Sequence, residues 1–378
     1  MKQKIMRYSA LLLLLALLLC GCDSAPQQTD SASGGSGANT ASSGQQDALT
    51  PPPALTVETA QQYYRVQFAD PRNMIYVTDA QTTESGAFLH GVRREENGLY
   101  IGTMEISKVG EIFGSGSIRD GAVELKAACN AQDTDCYVIT SQVEEEDAQI
   151  LYMGPESKPL DGLAFDGSGI RWMFPWDSGL LLLTNDGQFC PVSMDGSLGT
   201  ATALEFQPSE AFQAESGRII LVSREDTAAF YALEPGAASA ERLCAVPQEL
   251  EQASFLSGEK WGYDLLAYDN TSLYGWNFGD DTLMELLRFE TLSLSGSRIT
   301  AMACLDADSL VGTFVPMDNS QPRLFFLTET DTPAEKITLT IAGTTEPIVM
   351  QNLMAEFGQM YPEYQAEYVD YRELYGDQ

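Results

Sequence analysis

A strand–turn–strand unit that returns about every 40–50 residues restricts the fold of this chain more than any other feature. Leu180-Leu181-Leu182-Leu183-Thr184-Asn185-Asp186-Gly187-Gln188-Phe189 is one copy, and Ile219-Ile220-Leu221-Val222-Ser223-Arg224-Glu225-Asp226 is another. Leu265-Leu266-Ala267-Tyr268-Asp269-Asn270-Thr271-Ser272-Leu273-Tyr274 is a third, and a looser fourth begins at Leu310. Their starts lie 39, 46 and 45 residues apart. A short, wholly apolar run bounded by turn residues reads as a strand buried on both faces, which one copy cannot achieve alone. Repetition at this spacing is the period of a β-propeller, whose four-stranded blades cover one another around an axis.

The same texture runs from about Leu55 to Thr330. Strand-like runs include Met74 to Thr78, Gly98 to Met104, Cys136 to Thr140, Gln149 to Met153, Ser309 to Val315 and Arg323 to Leu327. Asn185-Asp186-Gly187, Met194-Asp195-Gly196 and Phe278-Gly279-Asp280 punctuate them as turns. About 275 residues at this period make about six blades in a mainly β chain. A Trp176-Asp177 dipeptide occurs once and does not recur with the repeat, and no kelch signature is present, so the reading rests on pattern, and a large β-sandwich competes with it.

At Thr330 the pattern changes. Asp331 to Glu335 reads as a linker and Lys336 to Ala342 as a strand. Gly343-Thr344-Thr345 turns, with Thr345 as helix N-cap and Pro347 in the first turn. Val349, Met350, Leu353, Phe357 and Met360 or Tyr361 recur at helical spacing, and Tyr364 to Tyr371 is a second strand. Strand, helix and strand make a βαβ unit, the start of a parallel sheet.

The amino terminus is organised for export. Lys2, Lys4 and Arg7 precede an apolar stretch from Tyr8 to Leu19, shorter than the roughly 20 residues that span a bilayer. Leu19-Cys20-Gly21-Cys22 resembles the lipobox of bacterial lipoproteins. That resemblance implies cleavage before Cys22, lipid attachment to Cys22, and residence on the extracytoplasmic face of a cell membrane. Residues 23–54 are Ser, Gly, Ala, Gln, Thr and Pro with few large apolar side chains, a flexible tether. Its length of roughly 30 residues gives an r.m.s. reach of about 30 Å.

The chain carries 21 basic and 54 acidic residues, a net charge of −33. Phosphate backbones repel such a surface, so nucleic-acid binding is disfavoured. With Cys20 removed and Cys22 lipidated, Cys129, Cys136, Cys190, Cys244 and Cys304 remain, an odd number. Cys129 and Cys136 bracket a polar turn and are candidates for a hairpin disulfide, whereas the other three lie in apolar runs. No Cys/His spacing suggests a metal site, and His90 is the sole histidine. No cofactor is implied.

The tail sequence from Leu353 to Tyr371 resembles the opening of extracellular solute-binding proteins of ABC importers, particularly the sugar-binding type. Matching positions are Met350, Phe357, Tyr361-Pro362, Tyr364, Glu367 and Asp370-Tyr371. The resemblance implies a non-catalytic, lipid-anchored component that captures a small solute, a sugar foremost, and delivers it to an ABC permease. It places Thr344 and Thr345 at the binding cleft. A two-lobed binding domain needs several hundred residues beyond this point, so 331–378 reads as its incomplete start. Four divisions follow: a signal peptide with lipobox over 1–22, a tether over 23–54, a propeller over 55–330 and the α/β start over 331–378. The alternative is a cell-surface propeller that binds a glycan or protein independently of transport, with Trp172, Phe174, Trp176, Trp261 and Trp276 as stacking candidates. A hydrolase is the weakest reading, since neither a GxSxG elbow nor a distinct carboxylate dyad is visible.

Overall fold

A computed structural model of the chain describes residues 54–371 apart from 97, 114–116, 119–122, 133, 144–145, 155, 161–168, 226–227, 317–320, 334, 344–346 and 362–363. The chain enters through β1 (Thr56–Thr59) and β2 (Tyr63–Ala69), then builds six blades. Blade 1 is β3 (Met74–Thr83), β4 (Gly86–Glu95) and β5 (Gly98–Ser107), with β6 (Ile112–Phe113) and β7 (Ser117–Ile118) both paired to β5. Blade 2 is β8 (Val123–Ala131), β9 (Thr134–Val143), β10 (Glu146–Met153) and β11 (Glu156–Pro159). Blade 3 is β12 (Ile170–Trp176), β13 (Gly179–Thr184), β14 (Gln188–Ser193) and β15 (Thr202–Ala203). Blade 4 is β16 (Glu210–Gln213), β17 (Ile219–Ser223), β18 (Ala229–Leu233) and β19 (Glu241–Ala245). Blade 5 is β20 (Ser254–Ser257), β21 (Leu265–Tyr268), β22 (Ser272–Trp276) and β23 (Thr282–Arg288). Blade 6 is β24 (Ile299–Asp306), β25 (Ser309–Phe314) and β26 (Arg323–Thr330), and β2 supplies its outer strand.

The ring is therefore closed by the amino-terminal segment. β2 runs antiparallel to β26, from Tyr63 opposite Thr330 to Ala69 opposite Leu324. Just before it, β1 pairs parallel with β23, so one stretch of chain fastens blades 5 and 6 together. The four copies of the sequence repeat are β13, β17, β21 and β25, the second strand of blades 3 to 6, and they are almost wholly buried. In blades 1 and 2 the equivalent strands β4 and β9 carry Phe88-Leu89-His90-Gly91 and Tyr137-Val138-Ile139-Thr140. Their polar interruptions hide the repeat.

Hydrophobic clusters fill the seams between neighbouring blades. Phe88, Ile101, Tyr137 and Ile139 join blades 1 and 2, and Val138, Leu151, Met173 and Leu182 join blades 2 and 3. Phe174, Leu181, Ile219 and Leu221 join blades 3 and 4, and Ile220, Phe230, Leu265 and Trp276 join blades 4 and 5. Leu266, Leu273, Leu310 and Phe325 join blades 5 and 6, and Leu89, Met104, Ala303 and Val311 join blades 6 and 1. A β-sandwich would carry one core between two sheets instead.

The disulfide expectation is corrected. Cys129 and Cys136 stand directly opposite each other across β8 and β9, but both thiols are free. Burial raises both pKa values, that of Cys136 to about 12, and the Cys136 thiol donates to the Thr134 carbonyl at 3.5 Å. They are small core side chains on the seam with blade 3.

Beyond β26 lie β27 (Ile337–Gly343), α1 (Pro347–Met360) and β28 (Tyr364–Asp370). β27 and β28 pair in parallel from Ile337 opposite Tyr364 to Gly343 opposite Asp370. The helix meets the propeller at the 3-10 turn Phe289–Leu292 and at Ser293, where Gly358 approaches so closely that a side chain there would strike the serine hydroxyl. Consequently Met354 and Gly358 face inward, while Leu353, read from periodicity as part of the apolar stripe, is 52% exposed. A two-stranded sheet is too narrow to cover the whole stripe. Among the described residues no helix is long and apolar enough to cross a membrane.

Candidate functional site

The first strands of the blades, β3, β8, β12, β16, β20 and β24, line the axis. Their side chains are more polar than those of the second strands because half of them face the axis and not a neighbouring blade. They surround a cavity of about 1050 Å³, at the upper end of the roughly 300–1,000 Å³ of small-molecule sites.

Glutamine amides hold the wall together. Gln81 of β3 donates from Nε2 to the Ala128 carbonyl of blade 2 at 2.9 Å and to the Met173 carbonyl of blade 3 at 3.3 Å. Gln213 of β16 donates to the Pro175 carbonyl of blade 3 at 2.6 Å. The Phe255 amide of blade 5 donates to Glu210 of blade 4 at 3.1 Å, and the Cys304 amide of blade 6 donates to the Thr82 hydroxyl of blade 1 at 3.0 Å. The thiol of Cys304 closes the set on the Ser257 carbonyl of blade 5 at 3.4 Å. Inner strands have no neighbour toward the axis, so these side chains satisfy groups that no ladder reaches.

One mouth of the cavity is capped by the 3-10 turn Glu259–Trp261. Lys260 donates from Nζ to the carbonyls of Thr83 at 2.7 Å and Leu305 at 3.0 Å, and pairs with Glu215 at 3.8 Å. Burial pushes its pKa below the ordinary lysine value, against the pull of Glu215. Trp261 fixes the turn by donating to the Asp306 carbonyl at 3.0 Å and stacking on Tyr64.

Tyr268, Thr300 and Asp79 also line the cavity. Burial pushes the Tyr268 phenol up to about 12, opposed by a hydrogen bond with Ser254 and reinforced by Glu210 and Asp79. Asp79 is 44% exposed and lies 3.8 Å from Nε2 of His90, whose other ring nitrogen is buried without a hydrogen-bond partner. Hydroxyls, amide oxygens, a phenol and carboxylates thus face one another across a space large enough for a small polar molecule. Among the described residues, no group of three or more His, Cys, Asp or Glu side chains is arranged to hold a metal ion.

The site differs from the sequence-derived candidates. Trp172, Phe174 and Trp176 are buried on the seam between blades 3 and 4, with the Arg171 guanidinium 4.5 Å above the Trp172 ring. Trp276 is buried between blades 4 and 5, and Trp261 is spent on Tyr64 and Asp306. None of these rings stands free for stacking. Cys22, Thr344 and Thr345 lie outside the described residues. Gln81, Gln213, Lys260 and Tyr268 have no motif around them. Gln81 and Gln213 leave a trace only as polar residues in the strand preceding an apolar run, Lys260 lies in a turn, and Tyr268 ends an apolar run.

No family model and no curated protein matches this chain. Among solved structures it is similar, at 12% identity and a TM-score of 0.43, to one described with a provisional gluconolactonase assignment, over 71% of this chain and 92% of that one. It is similar at the same identity and TM-score to YCF48 bound to a D1 peptide, over 74% and 99%. A protein of unknown function from Bacteroides caccae matches at 12% identity and a TM-score of 0.31, over 56% and 86%.

Proposed function

We propose that this is a lipid-anchored extracytoplasmic binding protein whose propeller takes a small polar solute, a sugar foremost, into its axial cavity without transforming it. The observation that carries the reading is the cavity of about 1050 Å³ walled by hydroxyl, amide and carboxylate groups. Hydroxyl-rich ligands exchange hydrogen bonds with both donors and acceptors, and a mixed wall meets both needs. Attachment through Cys22 would hold the propeller at the membrane on the 23–54 tether.

Calorimetric titration with a panel of mono- and disaccharides tests the binding. A ligand should bind the wild type and lose about tenfold in affinity for Tyr268→Phe or Asp79→Asn, the scale of one hydrogen bond to a bound ligand. Absence of binding across the panel, or unchanged affinity in both variants, counts against the cavity as the site. Incorporation of labelled palmitate that vanishes in Cys22→Ser tests the anchor separately.

A second reading is supported by the tail. The parallel β27–α1–β28 unit suits the start of an α/β solute-binding domain of an ABC importer, with Thr344 and Thr345 at its cleft. Co-purification of the membrane-extracted protein with a permease would favour it.

A further inference from the structure

A second cavity of about 630 Å³ lies off the axis, between the β23–β24 connection and the tail. Its floor is the Glu285 carboxylate, 6% exposed, which accepts from the Ser272 hydroxyl at 2.8 Å, the Thr59 hydroxyl at 3.2 Å and Arg288 Nε at 3.1 Å. Those three donors occupy the carboxylate and clamp the arginine by its inner nitrogen. The Arg288 side chain is otherwise 67% exposed, and its two terminal nitrogens make no hydrogen bond to any described residue. Asn270, Ser295 and Ser297 stand on the propeller side, and Gln365 of β28 faces them from the tail.

A guanidinium held at Nε keeps a planar pair of donors on its outer edge, and the group that fits two parallel N–H donors is a carboxylate or a phosphate. Charge separates the two. Arg288 and Arg298 are balanced in the lining by Glu285 and Glu290, and the molecule carries −33 overall, which penalises a dianion more than a monoanion. The neighbouring hydroxyls and amides suit a ligand that carries further hydroxyl groups. We infer that this crevice binds a small hydroxylated monocarboxylate, its carboxylate seated on the outer edge of Arg288. The site is separate from the axial cavity and does not depend on the reading given for it.

Calorimetric titration at low salt with D-glucuronate, and with D-glucose and inorganic phosphate as comparisons, decides the matter. Glucuronate should show binding that depends on Arg288, glucose should show none that does, and phosphate should bind at Arg288 more weakly. Arg288→Gln and Arg288→Lys should each weaken glucuronate about tenfold, since neither offers a two-pronged cation. Arg288→Lys keeps the charge beside Glu285, so its unfolding midpoint shows that the loss is not a folding defect. Glucose binding that Arg288→Gln weakens as much as glucuronate binding, tighter binding of phosphate, absence of glucuronate binding, or full affinity in Arg288→Lys would each overturn the assignment.

Discussion

A single ammonium ties four blades together. Lys260 belongs to blade 5, donates to carbonyls of blades 1 and 6, and pairs with Glu215 after β16 of blade 4. Lys260→Met would leave two carbonyls unpaired and Glu215 without its cation, and should cost about 2–4 kcal/mol, read from urea unfolding. Glu285 makes a pH-dependent contribution. Burial alone would raise its pKa, but hydrogen bonds from Ser272, Arg288 and Thr59 outweigh it and hold the value below the usual 4.5. A carboxyl whose folded pKa is depressed adds stability that is present above its unfolded pKa and lost as pH falls through the folded one. Wild type should therefore lose stability below about pH 4.5 more steeply than Glu285→Gln. Parallel slopes for the two proteins in urea titrations across that range would refute the assignment.

At the level of elements, β2 is where the ring is exposed. In blades 2 to 5 the strands pair in sequence order, whereas β2 must find β26 across more than 250 residues of intervening chain. Phe68 secures it, packing edge-on to Phe314 with the Arg323 guanidinium 5.3 Å from its ring centroid. Phe68→Ala should cost about 2 kcal/mol, less than a fully buried phenylalanine because the side chain is half-buried. It should also bring hydrogen exchange in β2 and β26 ahead of that in β17 and β21. Equal protection in all four strands would show that closure is not the weak point. Much of the element order could be read beforehand: four second strands, the turn at Asn185-Asp186-Gly187, and the strand–helix–strand tail. Gly187 has φ +81° there, as such a turn demands. The innermost strands were less visible, because side chains facing a wet axis dilute the apolar signal on which periodicity depends.

For the whole molecule, charge is the governing quantity. Fifty-four acidic side chains crowd a surface with twenty-one basic partners, and the pairs Arg218–Asp264 and Lys260–Glu215 bridge blades 4 and 5. Repulsion among exposed carboxylates is screened as the Debye length falls to about 10 Å near 0.1 M salt. Sodium chloride should accordingly raise the urea midpoint. A fall would mean that attractive pairs such as Arg224–Glu210 at the blade 4–5 seam dominate.

The repeat of apolar strands was enough to specify a mainly β chain and to favour a ring over a sandwich, because a strand buried on both faces requires like units on either side. Apolar spacing was likewise enough for the strand–helix–strand order of the tail. The fate of the aromatic residues was not legible in this way. Whether Trp172 lies on a seam or in a cavity depends on which blade lies beside it, and that is set by ring closure through β2 and not by neighbours in sequence. The same holds for Lys260 and Gln81. Their partners are carbonyls of other blades, and a carbonyl is the same in every residue, so nothing in the sequence marks it as an acceptor.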